Sequence, residues 1–327
     1  MKAIRSLWIA TAAVMGLALA APPAQAQYPD RPVTLIVPYA PGGAVDVVGR
    51  MLGRMLEKRL GTPFVIVNKP GASSGLAATF VANAPADGYT ILLATSTTMA
   101  INSAVFKNPG YAPLTDLTPI SLAASVPFVL IATEKLPVSS VADLVKLAKS
   151  KPGELIYGSS GPGSAAHLFM QDLASTTGIK LTHVPYRGSS QALQDLVAGR
   201  TQIMFADVPV ALPLLQAKTV RALGVSTAKR LANAPDLPTV AESGVAGYDA
   251  SSWHMIVAPA NTPKDIVQKL HDALKETQAD PEFVAAVSAR GVNPEVSPPL
   301  SELRKYVEDE TRRWGKIVEE AGLAKSM

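Results

Sequence analysis

The chain has no cysteine. Disulfides, thiolate metal sites and cysteine nucleophiles are excluded together, and so is the thiol through which a bacterial lipoprotein is anchored. Histidine is scarce: His167, His183, His254 and His271 show no HExxH or other ligand spacing, so no metal is expected. Charged residues make up only 17% of the chain, and no Lys/Arg-rich run with interleaved aromatics occurs. Nucleic acid is therefore not expected as a partner. Neither GxxxxGK[ST] nor GxGxxG is found, which argues against a nucleotide, and no other cofactor is expected.

Long apolar runs are also missing, except at the N-terminus. There Lys2 and Arg5 precede "LWIATAAVMGLALAA", and "AQA" at Ala24–Ala26 supplies small residues for cleavage. The run is shorter than the ~20 residues of a membrane span. Residues 1–26 therefore read as a secretory signal peptide. Removing them takes away two bases and no acid, so the net charge falls from +4 to +2. A free periplasmic protein is the simplest destination. With 48% hydrophobic residues, the remaining chain is long enough to build a core without disulfides.

What is present is an alternation of strands and helices. "RPVTLIVPY" (31–39) is β-rich, and "AVDVVGRMLGRMLEKRL" (44–60) follows with helical spacing. Val45, Val48, Leu52, Met55 and Leu56 share one face, Arg50, Arg54, Lys58 and Arg59 are available for another, and Gly61 ends the helix. Strand 63–68, turn 69–75, helix 76–84 and strand 89–95 continue the pattern. A second unit begins at "LIYGSSGPGSAAHLFMQDLASTTG" (155–178). Two extended apolar passes, "ISLAASVPFVLIAT" (120–133) and "YDASSWHMIVAP" (248–259), join the units. The expected fold is α/β and two-lobed, each lobe a mostly parallel sheet flanked by helices. Lobe 1 comprises residues 27–124 and 250–327, lobe 2 residues 125–249, and a ligand cleft lies between them.

Each lobe offers one glycine-rich turn at a strand's carboxyl end. In "YAPGGAVD" the glycines allow close backbone approach, and the helix start presents unpaired N–H groups suited to an anion. A plain strand–helix turn explains the same residues. Asp46 competes for those N–H groups, caps the helix, or holds an ammonium or water. In "YGSSGPGSAAH", Ser159, Ser160 and Ser164 bring hydroxyls, and Gly161 and Gly163 leave amides accessible. Ser164 also suits an N-cap, and His167 either faces the cleft or satisfies a backbone partner.

"GASSG" (71–75) matches G-x-S-x-G with Ser73 as nucleophile, and Asp207 and His254 follow in Ser…Asp…His order. A secreted serine hydrolase is thus an alternative, although turns of this composition match by chance. The acids Glu308, Asp309 and Glu310 sit in a charge-rich helix and read as a solvated face.

Six segments in order resemble the periplasmic solute receptors of tripartite tricarboxylate transporters, the Bug-type binding proteins. They are "YPDRPVTLIVPYAPGGAVDVVGR", "VNKPGASSGLAATFVANAPADGYTILLAT", "YGSSGPGSAAHL", "HVPYRGSSQALQDLVAGRTQIMFAD", "DLPTVAESGVAGYDASSW" and "VAPANTPKDIVQKL". The resemblance implies a type II-like two-lobed binding protein that closes on a small organic acid: a dicarboxylate, tricarboxylate, aromatic acid or amino acid. It implies delivery to membrane transporter subunits, a monomer, and no catalysis; a ligand-sensing subunit would bind identically. The ligand-binding positions it implies are Tyr39, Ala40, Pro41, Gly42 and Gly43 with Asp46, and Ser159, Ser160, Gly161, Gly163 and Ser164 with His167. Ser73, Ser74, Thr95, Ser96, Thr97, Tyr186, Arg187, Gly188 and Asp207 follow as side walls. Three features depart from the family pattern: the serines of "GASSG", the missing glycine before "RAL" in "QAKTVRALGV", and His254, where a smaller or aromatic residue is more usual.

Overall fold

The computed structural model describes residues 28–231 and 233–327. The expected signal peptide lies outside the described residues. Strand β1 (Val33–Val37) is apolar almost throughout and buried, as a strand with neighbours on both sides and helices over its faces must be. Helix α1 (Ala44–Leu60) follows. Its expected apolar face is buried, and Gly61, in the left-handed region at φ 70°, ends it by donating to the Glu57 carbonyl. Strand β2 (Phe64–Asn68) alternates buried and exposed residues, as suits an edge strand. Helix α2 (Gly75–Ala82) and β3 (Thr90–Thr95) complete the first unit.

Strand β4 (Leu117–Thr133) is seventeen residues long and serves both halves of the molecule. Helix α3 (Val141–Ser150), β5 (Ile156–Ser159), α4 (Ala165–Thr177), β6 (Thr182–Pro185), α5 (Ser189–Ala198), β7 (Ile203–Asp207), α6 (Val208–Gln216) and β8 (Val220–Val225) build the second unit. Strand β9 (Ser251–Pro259) returns the chain to the first, followed by α7 (Lys264–Ala279), α8 (Pro281–Ser288), β10 (Asn293–Pro294) and α9 (Leu300–Glu320).

Two curled sheets share β4. One runs β2–β1–β3–β9–β4–β10, the other β6–β5–β7–β4–β8. Strands from βα units pair in parallel, β1 with β2 and β3, and β5 with β6 and β7. The two crossing strands, β4 and β9, pair antiparallel with their neighbours, so each sheet is mixed rather than mostly parallel. The reason lies in the connections: a crossover helix reverses the chain and restores direction, whereas a crossing strand enters the sheet from its other end. Up to Pro127, β4 pairs with β9; from Phe128 it pairs with β7.

The C-terminal helix α9 touches both halves. Trp314 stacks on Phe169 of α4, with centroids 5.8 Å apart. Among the described residues no helix is long and apolar enough to cross a membrane.

Candidate functional site

The turn after β1 is held from behind by Asp46, which is 4% exposed. The Gly42 amide donates to its Oδ2 at 3.0 Å, Arg50 Nε to the same oxygen at 3.0 Å, and Asn68 Nδ2 to Oδ1 at 2.9 Å. Asn68 also donates to the Tyr39 carbonyl at 3.0 Å. Burial pushes the Asp46 pKa up, but the bonds from Arg50, Gly42 and Asn68 outweigh it and hold the carboxyl below its usual range. Asp46 therefore folds back on Gly42, the residue before the N-cap. The N-cap, Gly43, has no side chain to cap with, so the first-turn amides of α1 have no side-chain partner.

The turn after β5 is fixed in the same way by different chemistry. The Ser164 hydroxyl accepts from the His167 amide and caps α4. His167 Nδ1 accepts from the Gly163 amide at 2.9 Å, and its ring lies 4.0 Å from that of His183 at an interplanar angle of 7°. His183 Nε2 in turn bonds the Ser159 hydroxyl at 2.7 Å. Burial, reinforced by His183, lowers the His167 pKa to about 3; burial lowers His183 to about 4. Both rings are neutral struts beneath the loop.

The halves meet directly. Ser73 Oγ donates to the Pro162 carbonyl, and Ser190 Oγ to the Pro41 carbonyl at 3.3 Å. Gly161 has φ 140°, and a Cβ there would stand 2.9 Å from Ser73 Oγ, so this contact requires glycine. Ala72, Ser73 and Ser74 all have positive φ, and Asn102 Nδ2 holds the segment through the Ser73 carbonyl at 2.8 Å.

Two neighbouring cavities lie between the halves. The inner one, about 20 Å³, is lined by Tyr39, Gly43, Ala44, Val45, Thr95, Thr97, Phe128, Ser160, Ala165, Ser189, Asp207, Ser252 and His254. The outer one, about 790 Å³, is lined by residues 70–74, Ser160–Pro162, Pro185–Arg187, Gln191, Leu76 and Phe106, and shares Tyr39 and Ser160 with the inner. Of the positions singled out in the sequence, Tyr39, Gly43, Thr95, Thr97, Ser160 and Asp207 reach the inner cavity. Ser73, Ser74, Gly161, Tyr186 and Arg187 line the outer one. Ala40, Pro41, Gly42, Asp46, Ser96, Ser159, Gly163, Ser164, His167 and Gly188 line neither. Several of these brace the loops or join the halves: Ser96 Oγ bonds Ser252 Oγ at 2.9 Å, and Gly188 abuts Ala40.

Ala44, Val45, Phe128, Ala165, Ser189 and Ser252 were missed by sequence reasoning. The amides of Ala44, Val45 and Ala165 were implicit in the helix starts. Phe128 carries no local signal; it reaches the cavity because β4 changes partners there. His254 does face the cleft. Asp207 is 7% exposed and accepts from Ser189 Oγ. Burial raises its pKa, which the Ser189 bond opposes. The Ser73–Asp207–His254 triad is not assembled: Ser73 lies in the outer cavity and donates to Pro162, and no hydrogen bond joins it to a histidine among the described residues. No cluster of metal-ligating side chains occurs among the described residues either.

Two α/β halves joined by crossing strands, with a cleft between them, define a two-lobed periplasmic binding protein. The family model described as tripartite tricarboxylate transporter family receptor matches residues 48–323. The chain belongs to that family. It is similar to the solved structure of Rpa4515 from R. palustris with adipate, at 40% identity and TM-score 0.88, covering 91% of this chain and 99% of that one. The periplasmic binding protein BugD is 33% identical with TM-score 0.86, over 91% and 99% of the two chains. MatC (Rpa3494) from Rhodopseudomonas palustris, with bound malate, is 31% identical with TM-score 0.84, over 89% and 100%.

Proposed function

We propose that the protein captures a small organic acid between its lobes in the periplasm and delivers it to the membrane subunits of a tripartite transporter. The observation that carries this reading is the uncapped start of α1, Gly43 to Val45, lining the inner cavity opposite Ser160 and Ala165 of the second lobe. Amides at a helix start suit a carboxylate, and each such bond weighs more in an enclosed cavity than at the surface. Adipate and malate in the two similar structures support an acid as the ligand class.

Tyr39 and Ser160, shared by both cavities, would let one end of the acid sit inside while its body extends outward. The protein would work as an exported monomer without a lipid anchor, and without covalent chemistry. Residues 27–124 with 250–327 would move against 125–249. The change of β4 partners between Pro127 and Phe128, and the start of β9 at Ser251, support hinges there. Micromolar affinity, about −8 kcal/mol, suits a receptor that must also release its cargo.

A thermal-shift screen of dicarboxylates, tricarboxylates, aromatic acids and amino acids tests the reading. At least one acid should raise Tm, since ligand at 100 times Kd adds about 2.7 kcal/mol of stability. No response to any acid, together with ester cleavage lost in Ser73→Ala, would replace the receptor by a hydrolase.

A further inference from the structure

His254 is 1% exposed, and its Nδ1 is enclosed with no hydrogen-bond partner among the described residues. Among the described residues its Nε2 makes no hydrogen bond either, and the residue lines the inner cavity. Burial lowers the His254 pKa to about 4, so the ring is neutral at neutral pH and carries one proton. An enclosed N–H without an acceptor is the costlier arrangement, which assigns that proton to Nε2. The cavity is thus offered one N–H donor.

Asp207 lines the same space. One of its oxygens, Oδ2, accepts from Ser189, which leaves Oδ1 to accept from a guest. The α1 start, His254 and Asp207 line one narrow cavity, so a head group held by the α1 amides also stands beside this donor and this acceptor. The three common substituents beside a carboxylate answer them differently. An ammonium only donates and would oppose the His254 N–H. A carboxylate only accepts and would meet Asp207 with no proton between them. A hydroxyl does both, donating to Asp207 and accepting from His254.

We propose that His254 and Asp207 are a selectivity pair that reads a hydroxyl on the carbon next to the bound carboxylate, making the ligand a 2-hydroxy acid. The inference rests on the receptor reading above and narrows its ligand class. The pair rejects analogues by leaving its own buried groups unpaired, the strongest form of discrimination available to a small polar pocket.

Calorimetric titration with malate, succinate and aspartate tests it, because these differ only in hydroxyl, hydrogen or ammonium on one carbon. The wild-type protein is expected to bind malate at least tenfold more tightly than either of the others. In His254→Phe the malate-to-succinate ratio should fall to within threefold, while His254→Gln, which restores an N–H near the Nε2 position, should recover part of the preference. Circular dichroism checks that each variant folds; if His254→Phe does not, the wild-type order decides. Succinate or aspartate binding as tightly as malate would overturn the hydroxyl inference and leave the receptor standing. Binding of no acid in this trio or in the wider screen would overturn both.

Discussion

A carboxylate in the first turn of a helix can take the helix amides for itself or leave them to a guest. Asp46 leaves them, because Gly42, Arg50 and Asn68 occupy its oxygens. The sequence showed the competition but not its outcome, since Asn68 arrives from the neighbouring strand β2. Asp46→Ala should lower the unfolding free energy by about 2 kcal/mol, as loss of buried hydrogen bonds to a charged group does, and should weaken acid binding by loosening the loop. The folded carboxyl pKa is depressed, so its contribution is present above the unfolded value of about 4 and lost as pH falls through the folded one. Urea titrations at pH 7 and pH 3.5 should show the gap between wild type and variant narrowing at the lower pH. An equal gap at both would mean that Asp46 acts through packing alone.

At the scale of elements, α9 departs most from its sequence reading. Glu308 and Asp309 do form the exposed ion-paired face expected, with Arg304 and Lys305. Glu310 does not. It accepts from Trp253 Nε1 at 2.6 Å and from Trp314 Nε1 at 3.1 Å, tying α9 to strand β9. Both tryptophans are almost fully buried, so their N–H groups have nowhere else to go. Glu310→Leu should therefore cost about 2–4 kcal/mol, two orphaned indole donors at about 1–2 each, with a change in tryptophan fluorescence. A loss under 0.5 kcal/mol would show that the indoles find other partners. A run of three acids gives no hint of this, because one of them differs only in the direction it faces.

For the whole molecule, buried His167 and His254 and half-buried His183 set an acid limit. His254 and His183 have pKa values lowered to about 4, and His167 to about 3, against about 6.5 in the unfolded chain. Between those values the unfolded state binds more protons, so stability rises with pH from about 4 to 6.5 and is complete above it. Three such groups give at most about 4 kcal/mol per pH unit, and the raised pKa of Asp207 works in the opposite direction. Unfolding free energy from urea titration should be clearly lower at pH 5 than at pH 7, with the slope m unchanged. Equal values would show that the rings are hydrated in the native state.

The strand–helix alternation, the bounds of α1 to within its caps, the two glycine-rich turns and the family are legible in the sequence, because each depends on contacts a few residues long or on ordered motifs. The sequence also placed Tyr39, Thr95, Thr97, Ser160 and Asp207 at the cleft, since strand ends and helix starts in such sheets face one edge. Packing between distant segments settles which polar groups line the cavity and which face each other. Asp46 and His167, open in the sequence to either a structural or a ligand-facing role, brace their loops, while Phe128, Ser189 and His254 line the cavity. The wall positions of Phe128 and His254 turn on β4 changing partners and β9 crossing beside β3, pairings between residues about seventy or more positions apart. A local pattern carries no record of them.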